Sequence, residues 1–81
     1  MTDDTIRIDA TGLLCPLPVL KLARKIRHAP PGAVVELLAD DPAAVIDVPH
    51  YCTESGHTLI ETSTSAGANL FRVRKTGGPP H

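Results

Sequence analysis

The sequence predicts an α/β fold: a two-layer α/β sandwich of order βαβαββ, with a mixed four-stranded sheet and two helices on one face. The first reason is that segments with strand periodicity and segments with helix periodicity follow one another in this order. The second reason is that turns rich in proline, glycine and aspartate separate them. The third is length, because 81 residues cannot supply a core on both sides of a sheet.

The first strand and the first helix are predicted from periodicity and from the placement of prolines. Ile6–Ala10 alternates apolar and polar side chains, which is typical of a half-buried strand. After a turn, a helix is expected from about Pro16 to about His28, and the Pro30–Gly32 turn ends it. The apolar side chains expected to face the core share one side of this helix: Val19, Leu22, Ala23 and Ile26.

The second strand and the second helix follow the same logic. The apolar run Ala33–Ala39 is typical of an interior strand. Asp41 is expected to cap the next helix and Pro42 to take its first position, since carboxylates and proline both favour helix N-termini. Pro49 is expected to kink or restart that helix, because its ring clashes with the preceding turn. Gly56 is expected to end it.

Two more strands are expected, at His57–Ser63 and Asn69–Lys75, joined by a turn at residues 65–67. In the last strand, Phe71 and Val73 are predicted to point inward. The chain, residues 1–81, is therefore predicted to form one domain with a flexible tail from about residue 76 to residue 81.

Cys15 lies between the first strand and the first helix and is the candidate catalytic residue. Pro16 biases it away from helical geometry and suits the first helical position, so Cys15 is expected at the N-cap. Pro18 falls in the same first turn, where backbone N–H groups lack intrahelical partners. A sulfur at a helix N-terminus is expected to ionise more readily, and the thiolate is the nucleophile.

Four neighbours of this turn are candidates for supporting roles. Lys21 and Arg24 are expected to lower the pKa of the Cys15 thiol or to contact an acidic partner; the alternative is a solvated helix face. Asp9 is expected to shape the turn through hydrogen bonds to backbone N–H groups. Gly12 is expected to supply a backbone conformation that a Cβ would hinder.

Composition and charge argue against several classes of protein. The formal net charge of −1 and the presence of only one Tyr, one Phe and no Trp argue against direct binding of nucleic acid. Two cysteines do not make the disulfide framework of a secreted mini-protein. Neither a signal peptide nor a membrane-spanning run is recognised. We therefore expect a cytoplasmic protein with reduced thiols.

Cys52 is expected to be a packed, inert thiol in the second helix. Two other roles stay open at this point, namely a resolving cysteine and a partner of Cys15 in a disulfide. A metal site built on His50, Cys52 and His57 is not expected, because their spacing matches no standard zinc pattern.

The motif around Cys15 resembles that of a known family. Residues 9–18 read DATGLLCPLP and fit the D-x-x-G-L-x-C-P-x-P signature of the TusA (SirA-like) family of small sulfur-carrier proteins, also called sulfurtransferases. The resemblance continues through Pro31-Gly32, Ala39–Ala43 and Asp47–Cys52 and covers nearly the whole chain. It implies the βαβαββ fold and a persulfide on Cys15, a chemistry that needs neither a metal nor an organic cofactor.

The resemblance also implies partners. A sulfur donor protein such as a cysteine desulfurase or a rhodanese would hand sulfane sulfur to Cys15, which would pass it to an acceptor protein. The endpoints in this family are tRNA thiolation, synthesis of sulfur-containing cofactors and sulfur oxidation, and the sequence does not select among them. A monomer would suit docking to successive partners.

Three other functions compete with sulfur transfer. The main alternative is a non-catalytic partner-binding or regulatory module that uses the Cys15 turn and the basic helix. A thiol-redox protein is disfavoured because the chain has no Cys-x-x-Cys motif. RNA binding through the sheet is disfavoured by the negative net charge and the shortage of stacking aromatics. Loading of sulfur on Cys15 separates a carrier from a binding module.

Overall fold

A computed structural model of the chain describes residues 5–76. In chain order the elements are β1 Ile6–Asp9, α1 Leu17–His28, β2 Val34–Ala39, α2 Ala44–Ser55, β3 Thr58–Ser65 and β4 Ala68–Arg74. The predicted order βαβαββ is confirmed, with the ends of the elements displaced by about one or two residues.

The strands form one mixed sheet in the order β1-β2-β4-β3. β1 and β2 run parallel, with Ile8 opposite Leu37, whereas β4 runs antiparallel to β2 and β3. A parallel pair requires a crossover, which α1 supplies, while β3 and β4 are joined by a tight turn. Because β1 and β2 are parallel neighbours, the loops that follow them leave the sheet at the same edge.

Both helices pack on the same face of the sheet, as predicted. Their buried side chains and the inward side chains of the strands form one cluster: Ile8, Ala10, Leu22, Ile26, Val35, Leu37, Ala39, Ala44, Val48, Cys52, Phe71 and Val73. Phe71 and Val73 are both fully buried, in agreement with the prediction. Within residues 5–76, no buried residue is polar or charged, so burial of apolar surface stabilises this layer.

The opposite face of the sheet carries a row of charges with one residue from each strand. In spatial order these are Arg7, Glu36, Arg72 and Glu61. Arg7 Nε donates to Glu36 Oε1 at 3.1 Å, and Arg72 Nη1 donates to Glu61 Oε1 at 3.4 Å. Arg72 Nε lies 3.0 Å from Glu36 Oε2 as an ion pair without hydrogen-bond geometry. This face therefore meets solvent, as one face of an antiparallel or mixed sheet can.

Both helices begin later than predicted. Pro16, not Cys15, is the N-cap of α1. α2 begins at Ala44 after a turn in which the Ala44 N–H donates to the Asp41 carbonyl at 3.0 Å. Asp41 still caps this turn, because its Oδ1 accepts the Ala43 N–H at 3.2 Å. Proline suits a turn as well as the first helical position, so proline alone does not fix a helix boundary.

α2 runs through Pro49 as one helix, so of the predicted kink or restart the restart is wrong, and the kink stays a prediction. A proline inside a helix removes one hydrogen bond, to the carbonyl four residues earlier, which is that of Val45. Val45 is exposed, so the residue that loses this hydrogen bond lies at the protein surface rather than in the core. Gly56 ends α2, as predicted, with φ of +82° in the left-handed region.

Thr76 hydrogen-bonds back onto the fold. Its Oγ1 donates to the Gly56 carbonyl at 3.1 Å and lies 2.8 Å from Thr58 Oγ1. Residue 76 therefore belongs to the ordered fold rather than to the predicted tail, whose other residues, 77–81, lie outside the described residues. Between residues 5 and 76, neither helix has the length and hydropathy needed to cross a membrane.

Candidate active site

The cysteine loop, residues 10–16, lies against the loop between β2 and α2. Asp40 Oδ1 accepts the Gly12 N–H at 2.9 Å, and Asp41 Oδ2 accepts the Cys15 N–H at 2.5 Å. The two loops meet because they follow paired parallel strands. Hydrogen bonds from backbone N–H groups to carboxylates are among the stronger ones, so two of them hold the cysteine loop in place.

Asp9 organises the start of the cysteine loop. Its Oδ1 accepts the Thr11 hydroxyl at 2.6 Å and the Thr11 backbone N–H at 3.0 Å. These two hydrogen bonds lower the pKa of Asp9, and the nearby positive charge of Lys21 lowers it further. Gly12 adopts φ of +82°, and a Cβ there would meet nothing within 4 Å, so this position requires the backbone conformation rather than the space.

The prolines stand where the loop enters α1. The Cys15–Pro16 peptide bond is cis. Pro16 has φ of −99°, and its carbonyl accepts the Leu20 N–H at 3.1 Å. Pro18 lies in the first turn of α1 and is buried. Both prolines thus occupy positions where a backbone N–H would have no intrahelical acceptor, so the N–H that proline lacks costs the helix no hydrogen bond.

The Cys15 sulfur is exposed and meets a carboxylate rather than a cation. Its thiol donates to Asp47 Oδ2 at 2.9 Å, and Asp47 lies in the first turn of α2. This hydrogen bond, with desolvation and the negative charges of Asp47 and Asp41, raises the pKa of Cys15. The predicted easier ionisation is therefore wrong for the unbound chain, because a contacting carboxylate outweighs a helix that begins beyond Pro16.

Lys21 and Arg24 line a shallow groove on the exposed side of α1 together with Leu17 and Leu20. The two leucines are 46% and 55% exposed, so the groove combines apolar surface with positive charge. The groups with the largest influence on the pKa of Cys15 are the carboxylates, not these cations. Contact of Lys21 and Arg24 with an acidic partner stays a prediction, as does the alternative of a solvated helix face.

Cys52 is 3% exposed, and burial raises the pKa of its thiol. Both cysteines are thiols, so the disulfide that the sequence left open is not formed. No group of three or more His, Cys, Asp or Glu side chains in the described part of the chain is placed to hold a metal ion. Cys15 is therefore the accessible thiol of the protein.

Three carboxylates were not predicted from the sequence to lie near Cys15: those of Asp40, Asp41 and Asp47. Asp41 was predicted only as a helix cap, and Asp40 was given no role at the cysteine. Both residues follow β2, and the parallel pairing of β2 with β1 places them beside the cysteine loop. Asp47 is 32 residues from Cys15 in sequence and lies inside a helix, so local pattern carried no sign of their contact.

The protein is similar to known proteins in both sequence and structure. The sequence profile of the family described as "Sulfurtransferase TusA" matches residues 6–75. The chain belongs to the TusA family. The "Sulfur carrier protein TusA" of Pseudomonas paraeruginosa is 43% identical over 68 residues, covering 84% of this chain and 86% of that relative. The protein of the same description from Pseudomonas syringae pv. tomato is 37% identical over 75 residues, covering 93% and 88%.

The TusA-family fold is also found in a solved structure. The crystal structure of a SirA-like protein from Desulfitobacterium hafniense superposes with a TM-score of 0.77 and covers 88% of this chain and 97% of that one. Its sequence identity is 23%, so this likeness bears on the fold alone. The resemblance seen in the cysteine motif is confirmed, and family membership gives this protein the general role of a sulfur carrier.

Proposed function

We propose that this TusA-family protein is a sulfurtransferase that accepts sulfane sulfur as a persulfide on Cys15 and passes it to an acceptor protein. The observation that carries the proposal is an exposed Cys15 on a loop held by two carboxylates, while the other cysteine is buried. An accessible sulfur on a fixed loop suits exchange with a bulky, protein-bound persulfide, because exchange at sulfur depends on access.

The transfer is two exchanges at sulfur with no net oxidation. In the first, the Cys15 sulfur attacks the outer sulfur of the donor persulfide. A new sulfur–sulfur bond forms, the donor's bond breaks, and the proton lost from Cys15 is balanced by one gained at the leaving donor sulfur. In the second, an acceptor thiolate attacks the outer sulfur on Cys15, and Cys15 leaves as a thiolate. Neither step requires a metal or an organic cofactor.

The donor is a protein such as a cysteine desulfurase or a rhodanese, and the protein acts in the cytoplasm as a monomer. Leu14 lies next to the cysteine and is exposed, as are Leu17 and Leu20, which line one groove on α1. Exposed apolar side chains that share one patch support a docking surface. Lys21 and Arg24 add positive charge along α1, so an acidic surface on the partner is favoured. The acceptor belongs to tRNA thiolation, cofactor synthesis or sulfur oxidation.

Intact mass spectrometry tests the proposal after incubation with a cysteine desulfurase and cysteine. We expect the wild type to gain one sulfur atom that a reducing thiol removes, and Cys15→Ser to gain none. Cys52→Ala is the matched control and is expected to load like the wild type, because Cys52 is buried.

Two results would contradict the proposal. If the wild type gains no sulfur from a desulfurase, a rhodanese or a polysulfide, a partner-binding module becomes the better account. If Cys15→Ser gains sulfur and Cys52→Ala does not, Cys52 rather than Cys15 is the carrier.

A further inference from the structure

Asp47 contacts the Cys15 sulfur from a different element of the fold. Its Oδ2 accepts the thiol proton at 2.9 Å from the first turn of α2, where the positive end of the helix dipole favours a carboxylate anion. The cysteine loop is held next to the same helix end by Asp41, which bonds the Cys15 N–H with one oxygen and the Ala43 N–H with the other. The packing of the cysteine loop against the β2–α2 loop therefore brings the Cys15 sulfur and the Asp47 carboxylate together.

The charged groups that act most strongly on the sulfur are both anions. Asp47 faces it from α2, and Asp41 faces it from the β2–α2 loop. A neighbouring negative charge disfavours a thiolate, and a hydrogen bond donated by the thiol further stabilises the protonated form. The unbound protein thus presents a sulfur that is exposed yet protonated at neutral pH.

We propose that Asp47 is the positioning residue that keeps the unloaded Cys15 protonated and unreactive toward small electrophiles until a docked donor displaces its carboxylate. This inference rests on the proposed function, because only a carrier needs an exposed sulfur that resists reaction between partners. When the contact with Asp47 is broken, the Cys15 proton passes to solvent, the thiolate forms the new sulfur–sulfur bond, and the leaving donor thiolate takes a proton from solvent.

The test is the pH dependence of alkylation of Cys15 by iodoacetamide, followed by mass spectrometry of the peptide that carries it. Asp47→Asn keeps the size of the side chain and removes its charge. We expect it to be alkylated roughly three- to tenfold faster than the wild type at pH 7.5, with its pH profile displaced to lower pH. The increase in alkylation rate is expected to be smaller than the increase in the fraction of Cys15 present as thiolate, because a thiolate of lower pKa is a weaker nucleophile.

Three comparisons make the result specific. Asp47→Glu retains the charge and is expected to stay closer to the wild type than Asp47→Asn does. Glu54→Gln removes an exposed carboxylate of the same helix, far along it from the sulfur, and is expected to leave the profile unchanged. The buried Cys52 reports on the fold, since its alkylation would reveal an unfolded variant.

Coinciding profiles for Asp47→Asn and the wild type would overturn the inference, as would an equal displacement in Glu54→Gln. The reaction contains no sulfur donor. A failure here therefore leaves sulfur loading of Cys15 unaffected, and a failure to load sulfur leaves these alkylation profiles valid.

Discussion

Asp9 is the residue that ties the end of β1 to the cysteine loop. The Thr11 hydroxyl and the Thr11 backbone N–H both donate to its Oδ1. Since these bonds lower its pKa in the folded protein below the reference value of 3.8, the ionised carboxylate stabilises the fold above that value. This contribution is lost as the pH falls through the lower, folded-state pKa.

Asp9→Asn is therefore expected to be less stable than the wild type at pH 7, with the difference shrinking as the pH falls through the lowered pKa of Asp9. Urea denaturation followed by circular dichroism at several pH values measures it. Glu54→Gln, a change at an exposed carboxylate of α2, serves as the control. A difference for Asp9→Asn that persists unchanged in acid would contradict the assignment.

At the residue scale, the sequence predicted what depends on near neighbours. Cys15 was recognised because the glycine and prolines that define its turn lie within three residues of it. Asp47 was missed because its contact with the sulfur exists only after α1, β2 and the sheet have brought α2 beside the cysteine loop. The ionisation state of Cys15 was mispredicted for the same reason.

Lys75 shows how an element end is held by a residue distant in sequence. It follows β4, and its Nζ donates to the carbonyl of Ala29 at 2.7 Å and to that of Arg27 at 3.4 Å. These carbonyls belong to the C-terminal end of α1, where acceptors lack intrahelical donors and the helix dipole favours a cation. One side chain thus joins the sheet to the helix that follows the cysteine.

Lys75→Met keeps the aliphatic part of the side chain and removes the charged donor. We expect a loss of about 1 kcal/mol in the free energy of unfolding, measured by urea denaturation. Lys25→Met, an exposed change on α1 itself, is the matched control and is expected to change it by less than about 0.5 kcal/mol. Equal stability of the two variants would show that the Lys75 contacts do not stabilise the fold.

At the element scale, the order and type of every helix and strand were predictable because periodicity is a local property. The ends were less so. Pro16 and Pro42 were each compatible with a helix start or a preceding turn, and the structure uses both in turns. Pro49 was predicted to kink or restart α2 because a proline ring clashes with the preceding turn, yet the helix is continuous. The sequence does not show that Val45, whose carbonyl loses its donor, lies at the protein surface.

In the whole molecule, the core, the charged surface and the reactive cysteine lie on different parts of the sheet. The helices and the apolar cluster occupy one face, and the charge row from Arg7 to Glu61 occupies the other. The loops at the carboxyl ends of β1 and β2 contain Cys15 and the carboxylates that hold the cysteine loop. The reactive sulfur can therefore meet a partner without disturbing the core.

Phe71 is the largest fully buried side chain of the described residues, so its truncation to alanine would leave a large cavity in the core. Phe71→Ala is expected to cost about 3–5 kcal/mol, out of a total of roughly 4–12 kcal/mol for a chain of this length. Thermal denaturation should show a strongly lowered midpoint. Ile60→Ala on β3, where the side chain is exposed, is expected to shift the midpoint little. A wild-type midpoint for Phe71→Ala would contradict the described core.

Peptide mapping after a limited pulse of isotopically labelled donor shows directly whether Cys15 carries the sulfur. The protein is loaded by a desulfurase with labelled cysteine, digested without reductant, and each cysteine peptide is weighed. We expect one labelled sulfur on the peptide containing Cys15, released by a reducing thiol. Label on the Cys52 peptide, or no thiol-releasable label on either peptide, would contradict it.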